Sequence, residues 1–420
     1  MKQTSASSTT KRANWMLALL TLIFTFNFVD RQILIILQEP IRNELGLSDT
    51  QLGLLTGLAF VVIYVTVGIP IAHFADRSNR KNIVSLSVFA WSIMTALTGL
   101  AQNFWHVLIA RIGVGIGEAG GTPPSHSMIA DLYPPEKRAT ALSIFQTGPS
   151  IGILIGFLIG GWIGQMYGWR IAFLAAGLPG ILLAALLFFC TSEPRRLLST
   201  ERPDVGTGFI EGIRYLFSVP TFRTVALAMA VAHFSIFGVM NFTPSFMIRS
   251  YGLSLTEVAT TLALIYGVGG GVGTVLIGVF ADRMANRDPR WRIWLVFLCT
   301  VIAYLASLAA FLVHSPVLSF CFYAIVAICA VSTQGIVFGT MQLVIHSRAH
   351  ALMTSILFFS NNLIGMGLGP LLVGMVSDAT RPVLGIESVR FGLVLCATGF
   401  LIAAPFYLRA ANRLPDDLLN

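Results

Sequence analysis

Residues 72–81 read A-H-F-A-D-R-S-N-R-K, and residues 278–287 read G-V-F-A-D-R-M-A-N-R. Both stretches close a long apolar run. Each sets an acid, Asp76 or Asp282, and then an arginine, Arg77 or Arg283, at the polar margin of that run. A second pair, Gly148-Pro149 and Gly369-Pro370, repeats with a looser offset inside a later apolar run of each half. A sequence that carries the same punctuation twice is built from two related halves. In a membrane, repeated halves are the mark of a transporter that rocks about a central site.

The composition requires a membrane. The chain of 420 residues is 55% hydrophobic and only 11% charged, with mean hydropathy +0.78; soluble domains carry about 25% charged residues. The run from Trp15 to Val29 follows Lys11 and Arg12 and so imitates a signal peptide, but it continues to Leu37 without a small-residue cleavage site. It is therefore expected to stay as a first membrane helix. Cys190, Cys299, Cys321, Cys329 and Cys396 all fall in apolar runs without CxxC spacing, which makes them packing residues and not metal ligands.

Twelve apolar spans are expected, each near the roughly 20 residues that cross a bilayer. They lie near 13–38, 50–75, 82–102, 105–131, 138–164, 170–191, 221–249, 256–281, 291–313, 316–342, 350–377 and 389–409. With the N-terminus inside, 20 of the 27 Lys and Arg fall in cytoplasmic segments and five in outer ones, the last two being Arg31 and Arg111 within spans. That bias fixes both termini in the cytoplasm and accounts for the net charge of +8 without a nucleic-acid partner. The expected organisation is a tail at 1–12, a six-helix half at 13–191, a linker at 192–220, a second half at 221–409 and a tail at 410–420.

The F-A-D-R-x-x-x-R motif after the second span, its partial copy after the eighth and the glycine-rich Gly-Pro fifth span resemble the major facilitator superfamily over essentially the whole chain. More narrowly, N-F-V-D-R-Q-I-L in the first span, and R-I-G-V-G-I-G-E-A-G-G-T-P-P followed by I-A-D-L-Y-P in the fourth, resemble the Spinster subfamily. The resemblance implies an all-α fold of 12 transmembrane helices in two six-helix halves, in a bacterial inner membrane. It also implies proton coupling through Asp30, Arg31, Arg111 and Glu118, and an exported lysolipid-like or amphipathic substrate. The loop motif of the superfamily carries glycine where this chain has Ala72 and Asn79, which loosens helix contact at that gate.

The same four residues stand out without any relative. A charge at the bilayer centre costs at least about 2.5–3.5 kcal/mol on insertion scales, so it is kept for a task. Two acids and two bases sum to zero. Arg111 and Glu118 are two helical turns apart on one face. By rise per residue Asp30 matches Arg111 in depth, so those two are expected to pair. Glu118 is then expected to be the less compensated acid. Arg31, about 100° round the helix from Asp30, need not face the same cavity. Burial favours a neutral acid and a nearby guanidinium a charged one. An acid whose compensation changes as the cavity closes binds a proton in one state and releases it in the other. The competing reading is a static bridge that orients two helices.

Other residues are expected to line or gate the path. Pro123-Pro124 should break the fourth span just below Glu118, and His126 lies near Glu118's face, as a proton-transfer group or as a packing histidine. His233, Phe237 and Asn241 in the seventh span, Gln334 in the tenth and Asn361 in the eleventh are candidate cavity residues. Sparse polar groups among aromatics suit an amphipathic ligand better than a sugar. Asp76, Arg77, Arg80 and Lys81, with Asp282 and Arg283 in the second half, are candidate gating residues. Topology alone would also place the bases there. A carboxylate at that position caps a facing helix in one state only. Asp131 and Arg138, flanking Pro134-Pro135, are expected to act similarly between the fourth and fifth spans.

Several functions are disfavoured. Gly115 to Gly120 fits G-x-G-x-x-G, but no strand precedes it and it lies in mid-membrane. No G-x-x-x-x-G-K-[ST] sequence points to ATP drive. No nucleophile–base or metal constellation points to an enzyme. The expectation is a secondary active transporter, with protons as the coupling ion, no other cofactor, one amphipathic or lipid-like substrate, and a monomer in the lipid bilayer. A general drug or metabolite exporter and an uncoupled lipid facilitator are the alternatives, and a non-transporting sensor is the most remote.

Overall fold

A computed structural model of the protein describes residues 2–75, 78–194 and 209–418. Asp76 and Arg77 lie outside the described residues. Twelve helical passes follow one another: α1 (Lys2–Ile36), α2 (49–75), α3 (Arg80–Thr98), α4 (104–132), α5 (135–167), α6 (Trp169–Cys190), α7 (Pro220–Tyr251), α8 (255–285), α9 (Trp291–Leu312), α10 (Pro316–Val344), α11 (350–384) and α12 (Ser388–Asp417). Nine helical stretches among the described residues are long and apolar enough to cross a membrane by length and composition. One of these, Ser347–Asp417, turns at Gly385–Glu387 and holds two passes. Two passes fall outside the nine. α3 carries Ser85, Ser87, Ser92, Thr95 and Thr98, and α4 is broken at Gly120 and Gly121.

Helix ends follow local chemistry. Ser48 forms a capping box with Gln51 at the start of α2, which satisfies two amides that the helix leaves unbonded. Asn79 and Asn103 cap α3 and α4 by accepting the N–H of Asn82 and His106. Gly168 alone separates α5 from α6 at φ +85°, a value that side chains with a Cβ rarely adopt. Pro123 and Pro124 open the second piece of α4 and do not themselves break it. Proline in a first turn removes no hydrogen bond, so the break moves up to the two glycines.

The chain forms two compact units. The first comprises Met1–Leu47, Ala59–Leu198 and Ser254–Ala263; the second comprises Ser48–Leu58, Ser199–Leu253 and Leu264–Asn420. The opening turns of α2 therefore belong to the second unit and those of α8 to the first. At both places the helix widens into a π-helical stretch, Leu54–Leu58 in α2 and Leu264–Gly269 in α8. α11 contains a third such stretch, Asn361–Leu368.

In the first unit, α5 lies along α1 through its glycines. A Cβ on Gly156 would sit 2.8 Å from the Gln32 Cβ and 3.0 Å from the Val29 carbonyl oxygen; on Gly152 it would meet the Phe28 Cβ at 2.6 Å. Gly148 stands against Thr21 and Phe24 in the same way. In the second unit the other Gly-Pro pair does the equivalent work, for a Cβ on Gly238 of α7 would sit 2.9 Å from the Gly369 carbonyl oxygen of α11. The looser repeat of sequence is thus a repeat of backbone contact. α7 and α12 meet at Ser235, whose hydroxyl donates to the Cys396 carbonyl at 2.7 Å.

The stretch between the halves contains a helix that turn residues obscured, Phe209–Ser218. Leu216 is fully buried against Phe222, Met353 and Leu414 of the second unit, while Ile210 and Phe217 stay exposed.

Candidate functional site

The four intramembrane charges lie together in the first unit and form two ion pairs. Asp30 and Arg111 meet at 3.3 Å, both almost wholly buried. The other Asp30 oxygen accepts from the Thr95 hydroxyl of α3 at 2.5 Å. Arg31 donates to Glu118 through Nε at 2.9 Å and Nη2 at 2.6 Å, both to Oε2. The expected Asp30–Arg111 pair is present. Two expectations are corrected: Glu118 is not the less compensated acid, and Arg31 does face the cluster. The reason is side-chain length and direction. A helical side chain leans towards the helix N-terminus, which in α1 is the cytoplasmic end, and Glu118 lies on that side of Arg111. A long arginine covers the angular offset.

The Arg31 guanidinium is also boxed by rings, lying 5.2, 4.9 and 5.3 Å from the centroids of Phe28, Phe60 and Tyr64. Aromatic faces stabilise a cation where water is excluded. Phe60 serves Arg111 as well, at 5.7 Å. Neither Phe60 nor Tyr64 was marked in the sequence, because phenylalanine and tyrosine in an apolar run read as packing.

Both pairs leave atoms unused. Glu118 Oε1 and Arg111 Nε are buried without a hydrogen-bond partner. A carboxylate with one oxygen held by a guanidinium and one bare can accept a proton or a ligand donor on the bare oxygen. Just past Glu118 the helix ends at Ala119, with the Gly121 amide donating to the Glu118 carbonyl at 3.0 Å.

Among the gating candidates, Arg80 is the most engaged. It is 2% exposed and bonds Glu193 at 2.7 Å, Asp131 at 2.6 Å, Ser127 at 2.8 Å and the Pro194 carbonyl at 3.2 Å. Burial works against its charge, but Glu193 and Asp131 more than compensate and raise its pKa above the ordinary value. Lys81 adds its backbone amide to Glu193 at 2.8 Å. Arg80 thus ties α3 to α4 and to the chain leaving α6, a network that requires Glu193, which the sequence did not mark. Asp131 and Arg138, expected to act between the fourth and fifth spans, have different partners: Asp131 accepts from Arg80 of α3, and Arg138 donates to the Tyr133 carbonyl of its own loop. Asp282 does not reproduce a buried gate. Its side chain is 80% exposed, 3.8 Å from Arg292, and Arg283 is exposed.

The cavity candidates divide between the units. In the second, His233, Phe237 and Asn241 form one stripe of α7. The His233 ring donates its Nδ1–H to the Met229 carbonyl at 2.9 Å, and the Asn241 amide donates to the Phe237 carbonyl at 2.8 Å. Gly365 of α11 backs onto His233, and Asn361, one turn earlier, is 3% exposed with both amide atoms lacking a hydrogen-bond partner. Gln334 is half-buried in α10. In the first unit, His126 packs edge-on against Phe145 at 5.1 Å.

A further polar cluster, absent from the sequence reading, occupies the second unit. Asp49 is buried and takes two bonds from Arg249, at 2.8 and 2.7 Å, and one from Ser377 at 2.6 Å. Asp378 accepts the amides of Asp49 and Thr50 at 3.0 and 2.7 Å, capping the start of α2. Burial opposes its charge, but the hydrogen bonds from Thr50 and Asp49 hold the Asp378 carboxyl below the ordinary value.

The sequence profile of the Major Facilitator Superfamily matches residues 20–370. The chain belongs to this superfamily. This facilitator is 32% identical to an MFS-type efflux pump of Mycolicibacterium smegmatis, over 98% of its own length and 95% of the pump's. It is 24% identical to Protein spinster homolog 1 of Xenopus laevis, over 97% of its length and 82% of that protein's. Its fold matches the crystal structure of a bacterial homologue of the human lysosomal transporter Spinster with TM-score 0.89 and 34% identity, covering 97% of this chain and 99% of that one. The facilitator is accordingly a Spinster-like, multi-pass protein of the bacterial inner membrane.

Proposed function

We propose that this facilitator is a proton-coupled secondary transporter that exports a lysolipid-like or other amphipathic molecule by alternating access. The observation that carries the reading is the pair of buried ion pairs, Asp30–Arg111 and Arg31–Glu118, with the bare Glu118 oxygen between them. Charges this deep are retained for ion or substrate pathways. Asp30, Arg31, Arg111 and Glu118 form the coupling group. A proton on Glu118 removes the charge that holds Arg31, so one protonation event changes the binding of α1 to α4. The sparse amides of Asn361 and Asn241 and the ring of His233, set among phenylalanines, supply polar contacts for a mostly apolar cargo. Protons are the only coupling species the mechanism needs, and Arg80 with Asp131 serves as the cytoplasmic clasp.

A general exporter is the second reading, favoured by the likeness to an MFS-type efflux pump. Counterflow in proteoliposomes separates the two readings. Lysolipids, amphipathic cations and organic acids are compared as internal substrates, each with and without an imposed pH gradient. The proposal expects lysolipid exchange that an inward-acid gradient drives in the wild type and fails to drive in Glu118→Gln. Gradient-driven transport that survives Glu118→Gln unchanged removes Glu118 from the mechanism, and exchange indifferent to the gradient in the wild type removes proton coupling.

A further inference from the structure

The lipid-facing side of the first unit carries a groove of about 270 Å³ between α3 and α6. Its floor is small, Ala184 and Ala185, and its walls are Leu86, Phe89, Ile181 and the Phe188-Phe189 pair. The groove exists because two alanines lie between flanking phenylalanines. α3 leaves the cytoplasmic side and α6 returns to it, so this end of both helices lies in the inner leaflet. From Asn82 to Phe89 the groove runs about 10 Å along α3 at 1.5 Å per residue, the reach of the upper part of one acyl chain.

The cytoplasmic mouth is polar. Asn82 is exposed there, and Ser85 lines the groove one turn deeper. Beside them, Lys81 extends along Phe188, its ammonium 4.9 Å from the ring centroid and 2.8 Å from the Phe188 carbonyl. A second bond reaches the Thr191 carbonyl at 3.5 Å. Those acceptors orient the ammonium without neutralising it. Among the described residues it meets no carboxylate, because Glu193 is taken by Arg80 and by the Lys81 backbone amide. An oriented cation above an apolar slot, at headgroup level, complements one kind of molecule: an anionic amphiphile with its charge at the membrane surface.

We propose that this groove is a binding site for an anionic phospholipid of the cytoplasmic leaflet. One acyl chain lies between α3 and α6, and the phosphate rests on the Lys81 ammonium and the Asn82 amide. The site is distinct from the transport path and does not depend on what the protein carries. The bound lipid joins the outer faces of the two helices whose inner ends Arg80 and Glu193 already hold.

Native mass spectrometry of the purified full chain tests this. Delipidated protein is titrated with phosphatidylglycerol, phosphatidylethanolamine or glycerol phosphate, for the wild type, Lys81→Gln, Ala185→Trp and Phe189→Ala. One basic residue near a membrane surface favours an anionic lipid by about fivefold. The wild type is therefore expected to retain one phosphatidylglycerol about fivefold more tightly than one phosphatidylethanolamine, and glycerol phosphate not at all. Lys81→Gln should bring the two lipids level, and Ala185→Trp should weaken both by filling the slot. Phe189→Ala removes an exposed wall and should weaken both even where the tryptophan variant fails to fold. Equal retention of the two lipids by the wild type, retention unchanged in Lys81→Gln and Phe189→Ala, capture of glycerol phosphate alone, or a second copy of the chain in place of lipid would each overturn the proposal.

Discussion

Arg31 and Glu118 are adjacent by two hydrogen bonds to one oxygen, with Glu118 fully buried and Arg31 only 15% exposed at the side chain. A double-mutant cycle with Arg31→Gln and Glu118→Gln measures what the contact is worth. Removing one partner of a buried ion pair costs about 3–5 kcal/mol, because the other charge is stranded. Each single variant strands a different charge. Glu118→Gln leaves a guanidinium that cannot lose its proton, although its three-ring box returns up to about 2 kcal/mol; a cost near 3 kcal/mol is expected. Arg31→Gln leaves Glu118 beside Asp30 with Arg111 as the sole base of the group, but a stranded carboxylate can take up a proton, so its cost is also expected near the lower end, about 3 kcal/mol. The double variant removes both charges and strands neither, so it should cost no more than about 3 kcal/mol against a sum of about 6 for the singles, and the coupling energy should be about 3 kcal/mol, at the upper end of the range for residues in contact. Reversible unfolding in mixed micelles, followed by tryptophan fluorescence, provides the four free energies. Additivity within about 0.5 kcal/mol would falsify the pairing.

Further consequences can be tested alongside it. Gly156→Ala should destabilise by about 1–3 kcal/mol, the range for overpacking, because its Cβ would press on the Val29 backbone; Gly271→Ala, with nothing within 4 Å, should be neutral or slightly stabilising in the same melts. Arg80→Lys should not restore the loss seen in Arg80→Gln, since an ammonium cannot reach Glu193, Asp131, Ser127 and the Pro194 carbonyl together; equal stability of the lysine variant and the wild type would contradict the network. Asp378 has a pKa below its ordinary 3.8, so its contribution is fully present above that value and is lost as pH falls through the lower, folded one. The difference in stability between the wild type and Asp378→Asn should thus be constant from pH 5 to 8, and a difference that shrinks across that interval would count against the capping role.

The twelve passes, their orientation and the division into halves were legible because bilayer thickness, basic loops and a repeated motif are properties of sequence order. The identity of the charged cluster was legible for a related reason, since a charge in an apolar run stands out whatever its partner. Its pairing was only half legible. Treating the 100° between Asp30 and Arg31 as a difference in destination ignored that an arginine side chain is longer than the offset it must cover. Glu193 was passed over because it sits in a segment read as linker, and Asp49 and Arg249 because each looked like an ordinary residue at a helix end. Their contacts bring together residues 200 positions apart, which no local pattern encodes. Asp282 shows the converse. Its motif repeats in the sequence, yet its side chain stays 80% exposed, so the repeat alone does not make it a buried gate. The linker helix Phe209–Ser218 was missed because the glycines and prolines before it read as loop.

Because α1 is held in two different ways, the effect of a proton at Glu118 has a direction. Towards α5 the contact is backbone against glycine, with no charge in it and no room for a Cβ. Towards α4 it is two ion pairs. Neutralising Glu118 weakens only the second, so the element free to respond is α4, and α4 is interrupted immediately after Glu118. Beyond the break, residues Thr122–Leu132 lead to Asp131 and the clasp on Arg80. On the proposed mechanism the two glycines are the joint between Glu118 and the Arg80–Asp131 contact. Gly121→Ala should stiffen that joint at small steric cost, for its Cβ would meet the Trp91 ring at 3.2 Å, a contact that a shift of a few tenths of an ångström relieves. Proton-driven transport is expected to fall severalfold while substrate affinity, measured by equilibrium binding, stays within twofold, magnitudes on the order of 1 kcal/mol or less. Affinity and transport falling together would place the defect in the binding site and not in the joint.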